Sequence, residues 1–341
     1  MAYTIALNFE DGVSRFIECN ENEKVLDAAY RQQVNLPMDC SDGVCGTCKC
    51  HCESGMYDLG DEYLEEALSE QEFEDGQVLT CQMIPNSDCV ISVPLSSHMC
   101  KTGSETYTAQ VVRAESLSDS AIELNLELTS HLGVPFLSGQ YVNIQLPNSQ
   151  DTRAYSFSSM PGEKTLSFLI RNVPNGRMSQ YLTTQAKPGD VLNLTGPQGS
   201  FYLREVTRPI LMLAGGTGLA PFLSMLHQLQ GSGLKHKVHL IYGVSRDVDT
   251  VKLAQLEAFA AQIPQFSFSV CVTDPASSAE LKGYVTDHIE PGQINDGEVD
   301  IYLCGPPPMV EAVITFLKSK SITPRNFYYE KFAPQVSKET A

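Results

Sequence analysis

The chain is expected to fold as three modules in a row: a small α+β module, an antiparallel β-barrel, and an α/β module built on a parallel sheet. Three observations predict this. Residues 1–100 hold 19 acidic and 4 basic residues out of a net charge of −18 for 341 residues, and nine of the eleven cysteines, so they stand apart from a nearly neutral body. Residues 108 to about 203 show short apolar alternations between turns, the pattern of a small barrel. From residue 206 the texture changes to strands alternating with helical patterns, which calls for a parallel sheet covered by helices.

The first module opens on the alternation Ile5, Leu7, Phe9, a turn at Asp11-Gly12 and a second strand around Arg15 to Cys19, a hairpin signal. Val25, Leu26, Ala28 and Ala29 predict a short helix before a cysteine-rich loop. Residues 53–75 carry ten acidic residues and no Lys or Arg, and Leu64, Ala67 and Leu68 have the i, i+3, i+4 spacing of an amphipathic helix. Val78, Leu79 and Thr80 lead as a strand into Cys81. Residues 99–107 read as a polar linker between a first module over 1–98 and a barrel over 108–204.

In the barrel segment Tyr141, Val142, Ile144 and Leu146, then Leu166, Phe168 and Ile170, mark strands. In the last module, over 205–335, apolar runs at 210–214, 238–242, 266–270 and 299–304 are strand-like, with helical patterns at 219–230, 251–262 and 307–319. A tail follows at 336–341.

The composition also excludes partners. An acidic chain lacks the basic surface that nucleic acid requires. The uncharged stretch from Pro209 to Leu226 is broken by Gly215, Gly216, Gly218 and Pro221, so it reads as strand, turn and helix start, with no membrane span. The N-terminal residues lack a basic segment followed by a long apolar one, so a cytoplasmic location is expected; a monomer is expected as well. Clustered cysteines in that setting point to metal before disulfides.

Cys40, Cys45 and Cys48 are separated by gaps of four and two residues, and 32 residues part Cys48 from Cys81. Four thiolates at this spacing suit a 2Fe–2S cluster, which handles electrons singly. Gly43 and Gly46 allow the tight loop that gathers three of them. A zinc site is the competing reading, but zinc usually takes two short Cys-x2-Cys knuckles and only Cys45 and Cys48 form one. Cys50 and Cys52 continue at period two and read as structural thiols on one strand face. Over residues 1–98 the sequence resembles a plant-type ferredoxin domain, which implies a ferredoxin-like β-grasp fold. It departs from that pattern at Ser41, where such domains often carry a basic residue.

Arg153-Ala-Tyr155-Ser156 follows a strand, and Gly176-Arg-Met-Ser179 opens a helix about twenty residues later. A guanidinium can pair with a diphosphate, a tyrosine ring can stack on an isoalloxazine, a hydroxyl can reach flavin N5, and free helix-start amides can bind phosphate. Together and in this order they resemble the flavin-binding barrel of the ferredoxin–NADP reductase superfamily, which implies FAD.

Leu213-Ala-Gly215-Gly216-Thr217-Gly218-Leu-Ala-Pro221 lies between a strand and a helix, where a glycine turn lets backbone approach a pyrophosphate. Ninety residues on comes Cys304-Gly-Pro-Pro-Pro-Met309. The superfamily resemblance places Cys304 beside the nicotinamide, Phe332 over the flavin face and Glu330 as the nearby carboxylate. Nine residues follow Phe332. After the strand ending at Tyr242, one arginine (Arg246) and two carboxylates (Asp247 and Asp249) favour NADH over NADPH, whose 2′-phosphate needs cations.

The module order over residues 3–332 resembles the reductase component of benzoate, toluate and anthranilate 1,2-dioxygenases. That implies electron flow from NADH to FAD to 2Fe–2S to a Rieske-type terminal oxygenase, with Ser156, Cys304 and Glu330 shaping the hydride-transfer site. Clusters of this type lie at about −400 mV, low for an acceptor driven by NADH, so an upward-tuned centre is expected. Reductases of di-iron phenol or methane hydroxylases share the order, and a stand-alone NADH diaphorase or a redox sensor are further alternatives.

Overall fold

The computed structural model describes residues 2–10, 14–100, 105–130, 133–134, 136–199, 201–204 and 206–332. The expected turn at Asp11-Gly12, linker residues 101–104 and the tail at 336–341 lie outside them. The chain divides into two compact units, Met1–Glu105 with Gly196–Ser200, and Thr106–Thr195 with Phe201–Ala341.

In the first unit β1 (Ala2–Phe9) pairs antiparallel with β2 (Ser14–Asn20), with Ile5 opposite Ile17. Helix α1 (Val25–Arg31) follows, burying Val25, Leu26, Ala28 and Ala29, the four residues that announced it. Then come β3 (Lys49–Ser54), β4 (Tyr57–Asp58), α2 (Glu70–Glu74), β5 (Gln77–Leu79), β6 (Ile84–Pro85) and β7 (Cys89–Val93). The main sheet runs β2-β1-β7-β3-β5, with β7 parallel to β1, while β4 and β6 pair separately. This is the expected α+β module, with Ile5, Leu7, Leu26 and Ile91 in its core.

The predicted amphipathic helix through Leu64, Ala67 and Leu68 is not there. Ala67 and Leu68 donate their N–H groups to the Leu64 carbonyl, making one turn that goes no further. Ser69 then caps α2, its hydroxyl accepting from the Glu72 N–H while the Glu72 carboxylate accepts from the Ser69 N–H. The Leu64 N–H bonds the Gly43 carbonyl at 3.0 Å, so this segment is shaped by the cysteine loop it lies on. Ala67 and Leu68 are buried and Leu64 is 48% exposed.

In the second unit β8 (Glu105–Ser116), β9 (Ala121–Leu128), β10 (Tyr141–Gln145), β11 (Thr152–Ser156), β12 (Thr165–Arg171), α3 (Arg177–Thr184) and β13 (Val191–Gln198) form the barrel. Its strands run β11-β10-β13-β8-β9-β12, and an antiparallel bridge between Phe157 and Phe168 joins the two ends. Alternate residues point inward, as in β9, where Ile122, Leu124 and Leu126 are fully buried.

The α/β part comprises β14 (Ile210–Gly215), α4 (Ala220–Leu229), β15 (Val238–Val244), α5 (Leu253–Gln262), β16 (Phe266–Val272), β17 (Leu281–Lys282), α6 (Pro291–Ile294), β18 (Asp300–Gly305), α7 (Pro307–Ser319) and β19 (Asn326–Lys331). Every neighbouring pair in the order β17-β16-β15-β14-β18-β19 is parallel. Strand order reverses direction between β14 and β18, and ligands bind open parallel sheets beyond the carboxyl ends of strands at such a point. Strand β19 lay outside the expected set; it adds an edge beside β18 and carries Glu330.

Candidate functional site

The cysteine loop owes its shape to left-handed backbone at Ser41, Gly43 and Gly46, with φ of 64°, 78° and 70°. A Cβ on Gly43 would stand 2.8 Å from both the Glu62 carbonyl and the Tyr63 Cβ, so only glycine fits there. The loop brings the four expected cysteines together. Cys48 and Cys81 place their Sγ atoms 3.2 Å apart. The thiols of Cys40 and Cys45 are in hydrogen-bonding contact, and Cys40 also reaches Cys81. These bonds hold Cys40 and Cys48 below the ordinary thiol range and push Cys45 and Cys81 above it. Cys40 with Cys45 and Cys48 with Cys81 make two thiol pairs, the donor set a binuclear iron centre needs, so these residues fit a 2Fe–2S cluster.

Cys50 is 1% exposed, and burial drives its thiol up. Cys52 lies on the neighbouring strand position and contacts the Cys89 thiol. Both are core side chains, as expected.

On β11, Arg153 and Tyr155 alternate onto one face and are half-buried. Burial pushes the Tyr155 phenol up, so it stays neutral. The Arg153 guanidinium donates to the Thr152 carbonyl at 2.7 Å. Gly176 caps α3; a Cβ there would lie 3.0 Å from the Val173 carbonyl. The Ser179 hydroxyl accepts from the Val173 N–H at 2.8 Å and bonds the Arg171 carbonyl at 3.4 Å. That hydroxyl therefore ties the start of α3 to the end of β12. A guanidinium, a half-buried phenol ring and an anchored helix start are groups that fit a flavin dinucleotide.

The glycine turn after β14, expected to let backbone approach a pyrophosphate, also serves packing at two of its three glycines. A Cβ on Gly218 would lie 2.3 Å from the Cys304 carbonyl oxygen, and one on Gly215 would lie 2.5 Å from the Met309 sulfur. These two allow the turns after β14 and β18 to touch. Gly216, at φ 54°, meets open space, and it lines the cleft with Gly215 and Thr217. Gly218→Ala is expected to destabilise the fold by about 1–3 kcal/mol, the usual cost of overpacking, and to raise KM for NADH. Thermal melting and steady-state kinetics check both; an unchanged Tm would rule out the contact.

Ser156, Cys304 and Glu330 meet at the ends of β11, β18 and β19. The Ser156 hydroxyl donates to the Glu330 carboxylate at 3.1 Å, and the Cys304 Sγ lies 3.9 Å from the same oxygen. All three are buried, at 4%, 0% and 6% exposure, so a group bound against them would be out of water. Phe332 follows two residues after Glu330; its N–H bonds the Gly305 carbonyl at 2.9 Å and it lines the cleft.

The cleft has a volume of about 580 Å³ and is lined by Gly216, Thr217, Asp249, Tyr284 and Phe332, among others. That is ample for a nucleotide ligand. Of the two carboxylates expected to choose the coenzyme, Asp249 lines the cleft and Asp247 does not. The Asp247 carboxylate accepts from the Ser277 hydroxyl and the Ser278 N–H, which hold it below the usual range. Asp249 takes two bonds from Arg246, at 2.9 and 3.0 Å, and one from the Ser120 hydroxyl at 2.7 Å. The Arg246 guanidinium holds the Asp249 carboxyl low, and Asp119 lies 3.7 Å from that same guanidinium. The one arginine of this loop is thus bracketed by two carboxylates.

Tyr284 was not anticipated. It follows β17, lines the cleft, and is 68% exposed, with its N–H held by the Asp287 carboxylate at 2.8 Å. No local pattern marks it, because β17 is two residues long.

Cysteine pairs, barrel and dinucleotide cleft together define a nucleotide-dependent iron–sulfur flavoprotein oxidoreductase. The chain matches a 2Fe-2S iron-sulfur cluster binding domain over residues 8–86, an oxidoreductase FAD-binding domain over 108–202 and an oxidoreductase NAD-binding domain over 212–315. It is 58% identical to the toluate 1,2-dioxygenase electron transfer component of Pseudomonas putida, covering 98% of this chain and 99% of that one. It is 49% identical to the 2-halobenzoate 1,2-dioxygenase electron transfer component of Burkholderia cepacia, over 98% and 99%. The solved Amycolatopsis cytochrome P450 reductase superposes with a TM-score of 0.74 at 30% identity, over 97% and 99%. The chain belongs to the family of electron transfer components of aromatic-ring 1,2-dioxygenases.

Proposed function

We propose that the protein takes electrons from NADH and delivers them singly to a Rieske-type terminal oxygenase acting on a benzoate- or toluate-like ring acid. The observation that carries this is the meeting of Ser156, Cys304 and Glu330 at the ends of β11, β18 and β19, in a chain that also gathers two thiol pairs. Arg153, Tyr155 and the helix start at Gly176 and Ser179 hold FAD, and Cys40, Cys45, Cys48 and Cys81 hold the cluster. When bound, the flavin supplies two-electron acceptance and the cluster one-electron delivery.

The chain's own residues do the rest. Gly216 and Thr217 offer backbone to the pyrophosphate, and Phe332 bounds the nicotinamide end of the cleft. Tyr284 offers a ring face at the far end for the adenine. The Glu330 carboxylate fixes the direction of the Ser156 hydroxyl, and burial of all three side chains keeps water from the reacting atoms. Asp249 faces the ribose end, while Arg246 is already neutralised, so NADH is preferred to NADPH. Among the described residues no helix is long and apolar enough to cross a membrane.

The acidic stretch 53–75, with Leu64 exposed on the cysteine loop, suits a basic docking face on the oxygenase. NADH-driven reduction of a benzoate-type oxygenase is expected to slow as salt rises, while ferricyanide reduction barely changes. Equal salt responses would remove the docking claim. Failure of every benzoate-type oxygenase to accept electrons, against success with a di-iron hydroxylase, would overturn the assignment of partner.

A further inference from the structure

We propose that the Gln82 side-chain amide, oriented by Lys24, donates a hydrogen bond to the Cys81 sulfur and thereby raises the reduction potential of the two-iron centre. The inference rests on the reading that Cys81 is a cluster ligand. The Gln82 Nε2 lies 3.8 Å from the Cys81 Sγ, and the Gln82 Oε1 lies 3.0 Å from the Lys24 Nζ. An ammonium donates hydrogen bonds and accepts none, so the oxygen end of the amide must face Lys24. The nitrogen end is thereby turned to the sulfur. Gln82 is 5% exposed and Cys81 2%, and a polar group so buried needs a partner for each half of its amide. Lys24 and Cys81 supply them.

The backbone fixes this arrangement. The N–H groups of Gln82 and Met83 both donate to the Leu79 carbonyl, at 2.8 and 2.9 Å, closing a turn that carries Cys81. The start of α1 is tied to the same turn: the Val25 N–H donates to the Met83 carbonyl and the Leu26 N–H to the Thr80 carbonyl, both at 2.9 Å. Lys24 immediately precedes α1 and is therefore held beside Gln82. Reduction adds negative charge to the centre, and hydrogen bonds to its sulfurs help to set the potential. An N–H donor on a ligand sulfur stabilises the added charge. The Lys24 ammonium polarises the amide through its oxygen, which makes the N–H a stronger donor. Gln82 is thus a physical source of the upward tuning expected for a centre driven by NADH.

The test is the midpoint potential of the cluster in the full holoprotein, with iron content and the electron paramagnetic resonance signal showing that the cluster is assembled. Gln82→Leu is expected to move the midpoint to more negative values, by about tenfold in the reduction equilibrium or about 59 mV for one electron. Gln82→Glu should shift it the same way, because a carboxylate keeps Lys24 as its partner but has no proton for the sulfur. Lys24→Met should give a smaller negative shift, and Lys24→Arg should leave the midpoint in place. In a Gln82→Leu background Lys24→Met should add little, since Lys24 acts through the amide. A midpoint in Gln82→Leu or Gln82→Glu that is unchanged or more positive overturns the proposal; a packing role alone would lower Tm and leave the midpoint where it was. An undiminished Lys24→Met shift in the Gln82→Leu background overturns the part given to Lys24. Where the Gln82 variants do not assemble, the half-buried Lys24 still decides: equal midpoints for Lys24→Met and the unaltered protein count against the proposal. Cys81→Ala separates the two levels. Retention of a normal cluster in that variant sinks the ligand reading, whereas an intact cluster with an unmoved potential in Gln82→Leu sinks only the role of Gln82.

Discussion

Cys48→Ser is expected to abolish electron delivery to the oxygenase while leaving NADH-driven ferricyanide reduction close to that of the unaltered protein. A serine hydroxyl does not ionise to match a thiolate, and the Cys48–Cys81 pair, with sulfurs 3.2 Å apart, would keep one donor of two. Iron content and visible absorption should fall with the transfer to the oxygenase. Ferricyanide takes electrons from the flavin half, so its reduction reports that barrel and cleft remain intact. Cys50→Ser is the contrast: its thiol lies in the core and contributes packing, so the cluster should persist. Full iron in Cys48→Ser, or its loss in Cys50→Ser, would reassign the ligands.

Removal of the Glu330 carboxylate should have the next largest effect. Glu330→Ala deprives the Ser156 hydroxyl of its acceptor and opens space at the point where β11, β18 and β19 meet. A misplaced reacting geometry of this kind costs about 10²-fold in rate. The expected reading is a fall of that order in the rate of flavin bleaching by NADH in anaerobic stopped flow. KM should change little, because Glu330 is not among the residues that line the dinucleotide cleft. Ser156→Ala should give a similar loss, and the double variant should be little worse than either, since the two act as a unit. Full additivity would mean that Ser156 and Glu330 serve separate purposes.

Much of the fold and of the site is legible in the sequence. The α1 helix, the four expected parallel strands β14, β15, β16 and β18, and the helices α4, α5 and α7 appear where apolar periodicity placed them, because each buries one local stripe or run. The helix expected through Leu64 failed for the opposite reason. Its i, i+3, i+4 pattern is real, but Leu64 is bound by its backbone to Gly43 and points outward, a constraint set by a loop twenty residues away. The glycines after β14 were legible as a special turn, yet their division of labour was not. Gly215 and Gly218 serve contact with Met309 and Cys304, ninety residues on, and Gly216 is the one that meets open space.

The sequence by itself determined the chemistry: two-electron and one-electron carriers in one chain, and the residues that could hold them. The spacing of Cys40, Cys45 and Cys48, the Arg-x-Tyr-Ser run and the glycine turn are short-range patterns, in which covalent connection keeps the needed groups near each other, whereas Cys81 is brought in by the fold. Tertiary structure decided everything that depends on groups far apart in the chain. It joined Ser156 to Glu330 across 174 residues, turned Asp249 toward the cleft and Asp247 toward Ser277, and set Tyr284 on the cleft wall. Residue type limits what a side chain can do; which one faces a ligand is settled by sheet order and the pairing of strand ends, and neither is written in any local stretch of sequence.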